Sequence, residues 1–191
     1  MIKKSKSEFI RLFSMLNDSI VDGEGFRFTV FTQGCNWNCD GCHNPESHAL
    51  DGGVIIKIDE IVDKIVDNQM LEGVTISGGE PFLQVESVSS LIDKLDIRAK
   101  KLNIWIYTGY KVENLFELAS KNKYISNILK KTKVIVDGQF EKDKRDISQM
   151  RGSTNQRFVD VQKTIRLMQD NGKTFEDKLL PEEVIEYEFE Y

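Results

Sequence analysis

Apolar and polar residues repeat along this chain with two different periods. Residues 26–32 alternate between apolar and polar side chains and are rich in aromatic and β-branched residues, which predicts a strand. Shorter runs of similar composition predict strands at 73–77, 103–107 and 133–137. Apolar residues spaced along one helical face predict helices at 59–68, 85–95, 112–119 and 124–129. The stretch 8–16 fits either a strand or a short helix.

The order of these elements predicts the fold class. Four strands alternate with helices, which is typical of βαβ units, where helices cover a mostly parallel sheet. A complete eight-fold barrel needs about 250 residues, and this chain has 191. We therefore expect an α/β protein that forms a partial, truncated barrel of TIM type, with mostly parallel strands and outer helices.

Segments of unusual composition follow each predicted strand. A loop with three cysteines follows the first strand, and segments 77–81, 108–110 and 137–140 follow the other three. In parallel α/β proteins, the chemistry gathers at the C-terminal ends of the strands. We therefore expect all four segments to lie at one edge of the sheet.

Composition and charge narrow the function classes. Hydrophobic residues make up 40% of the chain, and no apolar run approaches the roughly 20 residues that span a bilayer. Residues 1–6 carry charge and are not followed by an apolar stretch, so we predict no secretory signal and expect a cytoplasmic protein. The net charge of −5 argues against binding to nucleic acid.

The acidic excess is concentrated near the C-terminal end. Residues 176–191 contain seven acidic residues and one Lys. Residues 185–191 alternate aromatic or aliphatic side chains with Glu, which predicts a terminal edge strand with a charged outer face. We therefore divide the chain into a main domain at 1–180 and an acidic extension at 181–191. The alternative interpretation of the extension is a docking strand for a protein partner.

The three cysteines are the most informative residues for chemistry. Cys35, Cys39 and Cys42 lie close together, and their odd number does not suit a set of disulfides. In a reducing compartment, this pattern indicates a metal site. One alternative is a structural zinc ion with His43 or His48 as the fourth ligand, although zinc sites usually combine two separated pairs of ligands. The other alternative is a [4Fe-4S] cluster in which one iron has no protein ligand.

Two motifs together resemble the radical S-adenosylmethionine (SAM) superfamily. They are the spacing Cys-x3-Cys-x2-Cys after one strand and the sequence Gly78-Gly79-Glu80-Pro81 after the next. Within that superfamily, the chain is similar to the activating proteins of anaerobic ribonucleoside-triphosphate reductases. The matching segments are 19–27, 33–46, 105–110, 136–140 and 151–157. Gly41, before the third cysteine, is typical of this family, whereas Glu24 and Gln139 stand where Pro is expected.

The resemblance implies a cofactor set. It implies that Cys35, Cys39 and Cys42 hold one [4Fe-4S] cluster and that SAM binds the open iron. The implied SAM contacts are Gly41, Cys42, His43, Gly78, Gly79 and Glu80. In this arrangement, the Gly-Gly-Glu segment contacts the amino group of SAM, through either its backbone carbonyls or the Glu80 carboxylate.

The resemblance also implies a reaction and its partners. In this family, SAM is cleaved reductively to methionine and a 5′-deoxyadenosyl radical, which takes a hydrogen atom from one glycine of the partner reductase. The product is a glycyl radical on the anaerobic ribonucleoside-triphosphate reductase. No catalytic side chain beyond the cluster and the bound SAM is implied, and a flavodoxin-like protein is the expected electron donor.

Three other interpretations remain open. Activases of other glycyl-radical enzymes tend to be longer and often carry extra cysteines. A small radical SAM synthase of deazapurine metabolism acts on a small molecule, which segment 151–157 does not indicate. A zinc-binding interaction module is the non-enzymatic alternative. Metal and sulfide content distinguishes the zinc module from the two enzyme alternatives and from the activating-protein interpretation.

Overall fold

The computed structural model describes residues 8–146 and 150–189, so the charged run 1–6 lies outside the described residues. The strands are β1 (Phe9–Ser19), β2 (Arg27–Thr32), β3 (Val54–Lys57), β4 (Gly73–Gly78), β5 (Asn103–Thr108), β6 (Val134–Asp137) and β7 (Arg157–Asp160). The α-helices are α1 (Ile58–Asp67), α2 (Val85–Arg98), α3 (Val112–Ala119), α4 (Lys123–Lys131) and α5 (Val161–Asp170). Short 3-10 helices lie at Pro45–His48, Pro81–Gln84, Lys142–Lys144 and Pro181–Glu183.

The strands form one sheet in the order β3-β1-β2-β4-β5-β6-β7. The pairs between β2, β4, β5 and β6 are parallel, which confirms the α/β class and the parallel centre of the sheet. The flanking pairs β1 with β2, β1 with β3 and β6 with β7 are antiparallel. Within the described residues the sheet is open, with β3 and β7 at its two edges, so no closed barrel forms.

The four predicted strands and the four predicted helices are all present, and the ambiguous stretch 8–16 belongs to β1. Three elements were not predicted: β3, β7 and α5. The two strands have only four residues each. Helix α5 buries Val161, Thr164 and Met168, and Ile165 packs against the same core, so its apolar residues follow the helical spacing and the helix could have been predicted.

The two faces of the sheet differ in what covers them. On one face, Ile104 and Ile106 of β5 belong to the large core cluster that also contains the buried residues of the helices. On the opposite face, Trp105 packs with Phe158 and Tyr187 in a second cluster. This alternation follows from the two-residue period of a strand. The second face is therefore covered partly by the C-terminal tail.

The C-terminal tail lies against β7 but does not form a regular strand there. One antiparallel bridge joins Val159 to Glu186, and the Tyr187 N–H donates to the Phe158 carbonyl at 2.7 Å. The predicted edge strand is thus reduced to one bridge among the described residues, and residues 190 and 191 lie outside them. The division of the chain at residue 180 stays a prediction. Across residues 8–146 and 150–189, no helix has the length and apolar character needed to cross a membrane.

Candidate functional site

A cavity of about 370 Å³ lies at the carboxyl edge of the parallel strands. Its wall includes Cys35, Cys39 and Cys42 from the loop after β2, and Ser77, Gly78 and Gly79 from the end of β4 and the turn beyond it. It also includes Tyr107 and Thr108 at the end of β5 with Gly109 directly after it, and Gly138, Gln139 and Phe140 after β6. The expected convergence of four segments at one edge of the sheet is therefore confirmed.

The cysteine loop is held by backbone hydrogen bonds rather than by regular structure. The Gly34 N–H donates to the Ser47 carbonyl at 2.7 Å, and the Cys35 N–H donates to the His48 carbonyl at 3.1 Å. Both acceptors belong to the 3-10 helix Pro45–His48. The Cys42 N–H donates to the Cys39 carbonyl at 3.2 Å, which closes a turn between the second and third cysteines. These bonds position all three thiols on the wall of one cavity.

The three thiols are free and half-buried. Burial raises the pKa of Cys35 and that of Cys39, while backbone N–H groups of Trp37 and of Phe140, respectively, oppose this rise. Iron binds thiolates, so loading of the site has to displace these protons. Three free thiols from one loop on one cavity wall match the donor chemistry of a cluster with one open iron. Across the described ranges, no three His, Cys, Asp or Glu side chains are gathered as a single metal ion would require.

The Gly78-Gly79 turn lies directly against the cysteine loop. The Glu80 N–H donates to the Gly34 carbonyl at 2.7 Å, and the Gly79 N–H donates to the Thr32 carbonyl at 2.8 Å. A Cβ atom at Gly79 would lie 2.3 Å from the Gly34 carbonyl oxygen, so a side chain there would separate the two loops. Glycine at this position therefore allows the close approach of the two predicted binding segments.

Glu80 is completely buried, and its carboxylate accepts hydrogen bonds from the protein. Oε1 accepts from the Phe82 N–H at 3.0 Å, and Oε2 accepts from the Gly109 N–H at 3.0 Å and from Trp37 Nε1 at 2.5 Å. The Thr108 hydroxyl donates to the same carboxylate at 2.9 Å. Burial raises the pKa of Glu80, and these hydrogen bonds oppose the rise. The carboxylate is thus occupied by groups of the protein.

The predicted SAM contacts are distributed unevenly around the cavity. Its wall contains Cys42, His43, Gly78 and Gly79, but neither Gly41 nor Glu80 is among its described residues. The His43 ring lies 5.3 Å from the Phe140 ring, between centroids, which joins the cysteine loop to the segment after β6. His48, the other candidate zinc ligand, also lines the cavity.

Segment 151–157 contributes to the same wall through Arg151, Gly152 and Gln156. Gln156 Oε1 accepts from the Gly152 N–H at 2.9 Å, and Gln156 Nε2 donates to the Gly138 carbonyl at 2.9 Å. Arg151 donates to Asp146 Oδ2 through Nε and Nη2, each at 3.2 Å. The segment is therefore folded onto the end of β6.

Trp37 was not predicted as a site residue, although it lies on the cavity wall between two of the cysteines. The signal available in the sequence was its size: Trp37 is the one large aromatic residue in an otherwise polar loop. Val21 and Asp22, from the loop between β1 and β2, also line the cavity and were not predicted to do so.

Comparison with known proteins identifies the family. Residues 21–159 match the model of a 4Fe-4S single cluster domain. A relative from Haemophilus influenzae is 32% identical over 146 residues, covering 72% of this chain and 89% of the relative. Relatives from Enterobacteria phage T4 and Escherichia coli are 30% and 31% identical, and the matches cover 86% and 90% of those proteins. All three are named anaerobic ribonucleoside-triphosphate reductase-activating protein. This chain belongs to the family of anaerobic ribonucleoside-triphosphate reductase-activating proteins and contains its 4Fe-4S domain.

Proposed function

We propose that this protein is a radical SAM activase that generates a glycyl radical on an anaerobic ribonucleoside-triphosphate reductase. The observation that carries the proposal is the joint position of the three cysteines and the Gly78-Gly79 turn on the wall of one cavity. Membership of the activating-protein family supports the reductase as the target. When bound, the cluster supplies the electron that cleaves SAM reductively, and the resulting 5′-deoxyadenosyl radical removes a hydrogen atom from the target glycine.

The residues of this chain have separate tasks in the proposed site. Cys35, Cys39 and Cys42 bind the cluster as thiolates, and the chain contains no further cysteine for the fourth iron. The backbone of Gly78 and Gly79 accepts hydrogen bonds from the amino group of SAM. The Glu80 carboxylate does not contact SAM, because its acceptor positions are already used by protein donors. Its task is to hold the Gly78-Gly79 turn in position.

The remaining wall controls access to the site. Tyr107, Phe140 and His43 contribute aromatic surface that excludes water from the reacting groups. We propose that the open edge of the sheet admits a glycine-bearing loop of a large partner. We propose that the reaction takes place in the cytoplasm and that a flavodoxin-like protein supplies the electron.

The direct test combines the reduced protein, SAM and the anaerobic reductase from the same source under anoxic conditions. We expect a glycyl doublet in the electron paramagnetic resonance (EPR) spectrum, together with 5′-deoxyadenosine. The control is Cys39→Ala, which removes one of three thiolate ligands and is expected to abolish both cluster retention and SAM cleavage.

Each alternative gives a different result in this experiment. Cleavage of SAM without the doublet indicates another substrate, such as a different glycyl-radical enzyme or a small molecule. Stoichiometric zinc without sulfide in anaerobically purified protein contradicts the enzyme proposal and supports a zinc module. Full activity of Cys39→Ala contradicts the assignment of the ligands.

A further inference from the structure

Trp37 connects the cysteine loop to a buried carboxylate behind the cavity. It lies midway between Cys35 and Cys39, and its Nε1–H donates to Glu80 Oε2 at 2.5 Å. Glu80 follows the Gly78-Gly79 turn directly. This side-chain hydrogen bond adds to the backbone bond between the Glu80 N–H and the Gly34 carbonyl in joining the loop proposed to hold the cluster to the turn proposed to hold the amino group of SAM.

The same carboxylate also bonds to the end of β5. The Gly109 N–H and the Thr108 hydroxyl both donate to Glu80, at 3.0 Å and 2.9 Å. Glu80 is completely buried and is surrounded by donors from three different segments. Hydrogen bonds to a buried charged group are among the stronger ones in proteins, and losing one leaves the charge undercompensated. The relative positions of the three segments therefore depend on this carboxylate.

The indole ring is held in place by packing as well as by its hydrogen bond. Its centroid lies 4.8 Å from that of Tyr110 at an interplanar angle of 81°, an edge-to-face contact. A Cβ atom at Gly109 would lie 2.5 Å from Trp37 Nε1, which is too close for two non-bonded atoms. Residue 109 must therefore be glycine for the indole to reach Glu80. The Trp37 indole therefore occupies the space beside Gly109 at the end of β5.

We propose that Trp37 is a positioning residue, which fixes the distance between the cysteine loop and the Gly78-Gly79 turn through its hydrogen bond to Glu80. This inference rests on the proposed function, because SAM must contact the open iron and the turn at the same time. If the loop moves relative to the turn, both contacts cannot form with good geometry. The cluster itself needs only the three thiolates, so it is retained when the hydrogen bond is lost.

The test compares Trp37→Phe with Tyr110→Phe in the anaerobically reconstituted protein. Trp37→Phe keeps an aromatic ring but removes the Nε1–H donor, whereas Tyr110→Phe keeps the ring that contacts Trp37 and leaves the donor in place. Iron and sulfide content are measured first. SAM is then titrated into the reduced protein while the change that it causes in the EPR spectrum of the cluster is followed.

We expect Trp37→Phe to retain iron and sulfide at the wild-type level and to bind SAM about tenfold more weakly, as expected for one lost hydrogen bond to a buried charge. Tyr110→Phe should bind SAM within about twofold of wild type, because it leaves the hydrogen bond between Trp37 and Glu80 in place. In the cluster-free protein, hydrogen exchange of residues 34–42 should be faster in Trp37→Phe than in wild type.

Two results overturn the inference. One is SAM binding by Trp37→Phe at wild-type affinity with unchanged exchange of the loop. The other is parallel loss of iron, sulfide and SAM binding, which would make Trp37 a residue needed only to fold the loop. If Trp37→Phe does not fold, Trp37→Met, which also lacks the Nε1–H donor, is measured in its place and judged by the same outcomes. If wild-type protein itself shows no SAM-dependent change, the proposed function fails, and the exchange measurement still decides whether Trp37 fixes the loop.

Discussion

Two completely buried charged side chains lie at opposite ends of the parallel strands. Arg27 begins β2, at the amino edge of the sheet, whereas Glu80 follows β4, at the carboxyl edge. Arg27 donates to Thr75 Oγ1 at 2.7 Å, to the Glu24 carbonyl at 2.9 Å and to the Val74 carbonyl at 2.9 Å. It also donates to the Asn103 side chain and carbonyl. These hydrogen-bond partners of Arg27, and the hydrogen-bond partners of Glu80 described above, are all neutral groups.

The partners of the two charges belong to different kinds of structure. Most partners of Arg27 lie on β4 and β5, its guanidinium carbon lies 5.2 Å from the centre of the Trp105 ring, and the tail residue Tyr187 covers that ring. The partners of Glu80 lie in the cysteine loop, in the 3-10 helix Pro81–Gln84 that follows Glu80 itself, and at the end of β5. A buried charge that bonds to strands stabilises the sheet, whereas one that bonds to loops at a cavity fixes the geometry of a site.

The largest effect is expected at the Arg27 end. Arg27→Met should lower the free energy of unfolding by about 3 kcal/mol or more, because it leaves several buried acceptors without a donor. Burial lowers the pKa of Arg27 to about 10, so the side chain is still charged at neutral pH. Urea denaturation at pH 7 measures the effect.

Arg27→Lys is the matched control, because it keeps the positive charge but has three donors in place of five. We expect a smaller loss of stability for Arg27→Lys than for Arg27→Met. Equal losses would mean that the geometry of the guanidinium matters and the charge does not. Unchanged stability in both variants would contradict the role assigned to Arg27.

The second prediction concerns Glu80. Glu80→Gln should lower the free energy of unfolding by about 2 kcal/mol, because the new amide group places its own N–H donors among donors of the protein. The cluster should remain, since its ligands are the three cysteines, while SAM affinity should fall. Iron content and the EPR titration with SAM measure these two effects. Loss of the cluster instead would assign Glu80 to the folding of the cysteine loop.

The third prediction concerns the pH dependence of the stability that Glu80 contributes, for which Glu80→Gln is the reference. Burial raises the pKa of Glu80 above its ordinary value of 4.5, so the folded state holds this proton more tightly than the unfolded state. Its contribution to stability is complete below about pH 4.5 and declines as the pH rises through the raised pKa. The difference in unfolding free energy between wild type and Glu80→Gln should therefore decrease as the pH rises above about 4.5. A difference that grows as the pH rises contradicts the direction of the shift.

The two ends also differ in how far the sequence predicts them. The hydrophobic periods predicted the central strands and the first four helices, and the positions of the unusual segments after those strands predicted which segments meet at the carboxyl edge. The contacts of Glu80 were not predictable, because Thr108 and Trp37 are 28 and 43 residues away in the chain. The sequence Gly-Gly-Glu beside a predicted cofactor site favours contact between the Glu80 carboxylate and the cofactor. In the structure, Glu80 is buried, and only Gly78 and Gly79 of this motif lie on the cavity wall.

The smallest loss of stability is expected at Tyr187, the residue of the C-terminal tail that packs near Arg27. The Tyr187 hydroxyl donates to Glu24 Oε2 at 2.5 Å, and the Glu24 carbonyl accepts from Arg27. Tyr187→Phe removes this hydrogen bond but keeps the ring that packs on Trp105, so we expect a loss of about 1 kcal/mol in urea denaturation. Iron content and SAM affinity should equal those of wild type, because Tyr187 lies at the opposite end from the cysteines. A changed EPR spectrum in Tyr187→Phe would show that the two ends are coupled, and the separation between fold and site drawn from Arg27 and Glu80 would then be wrong.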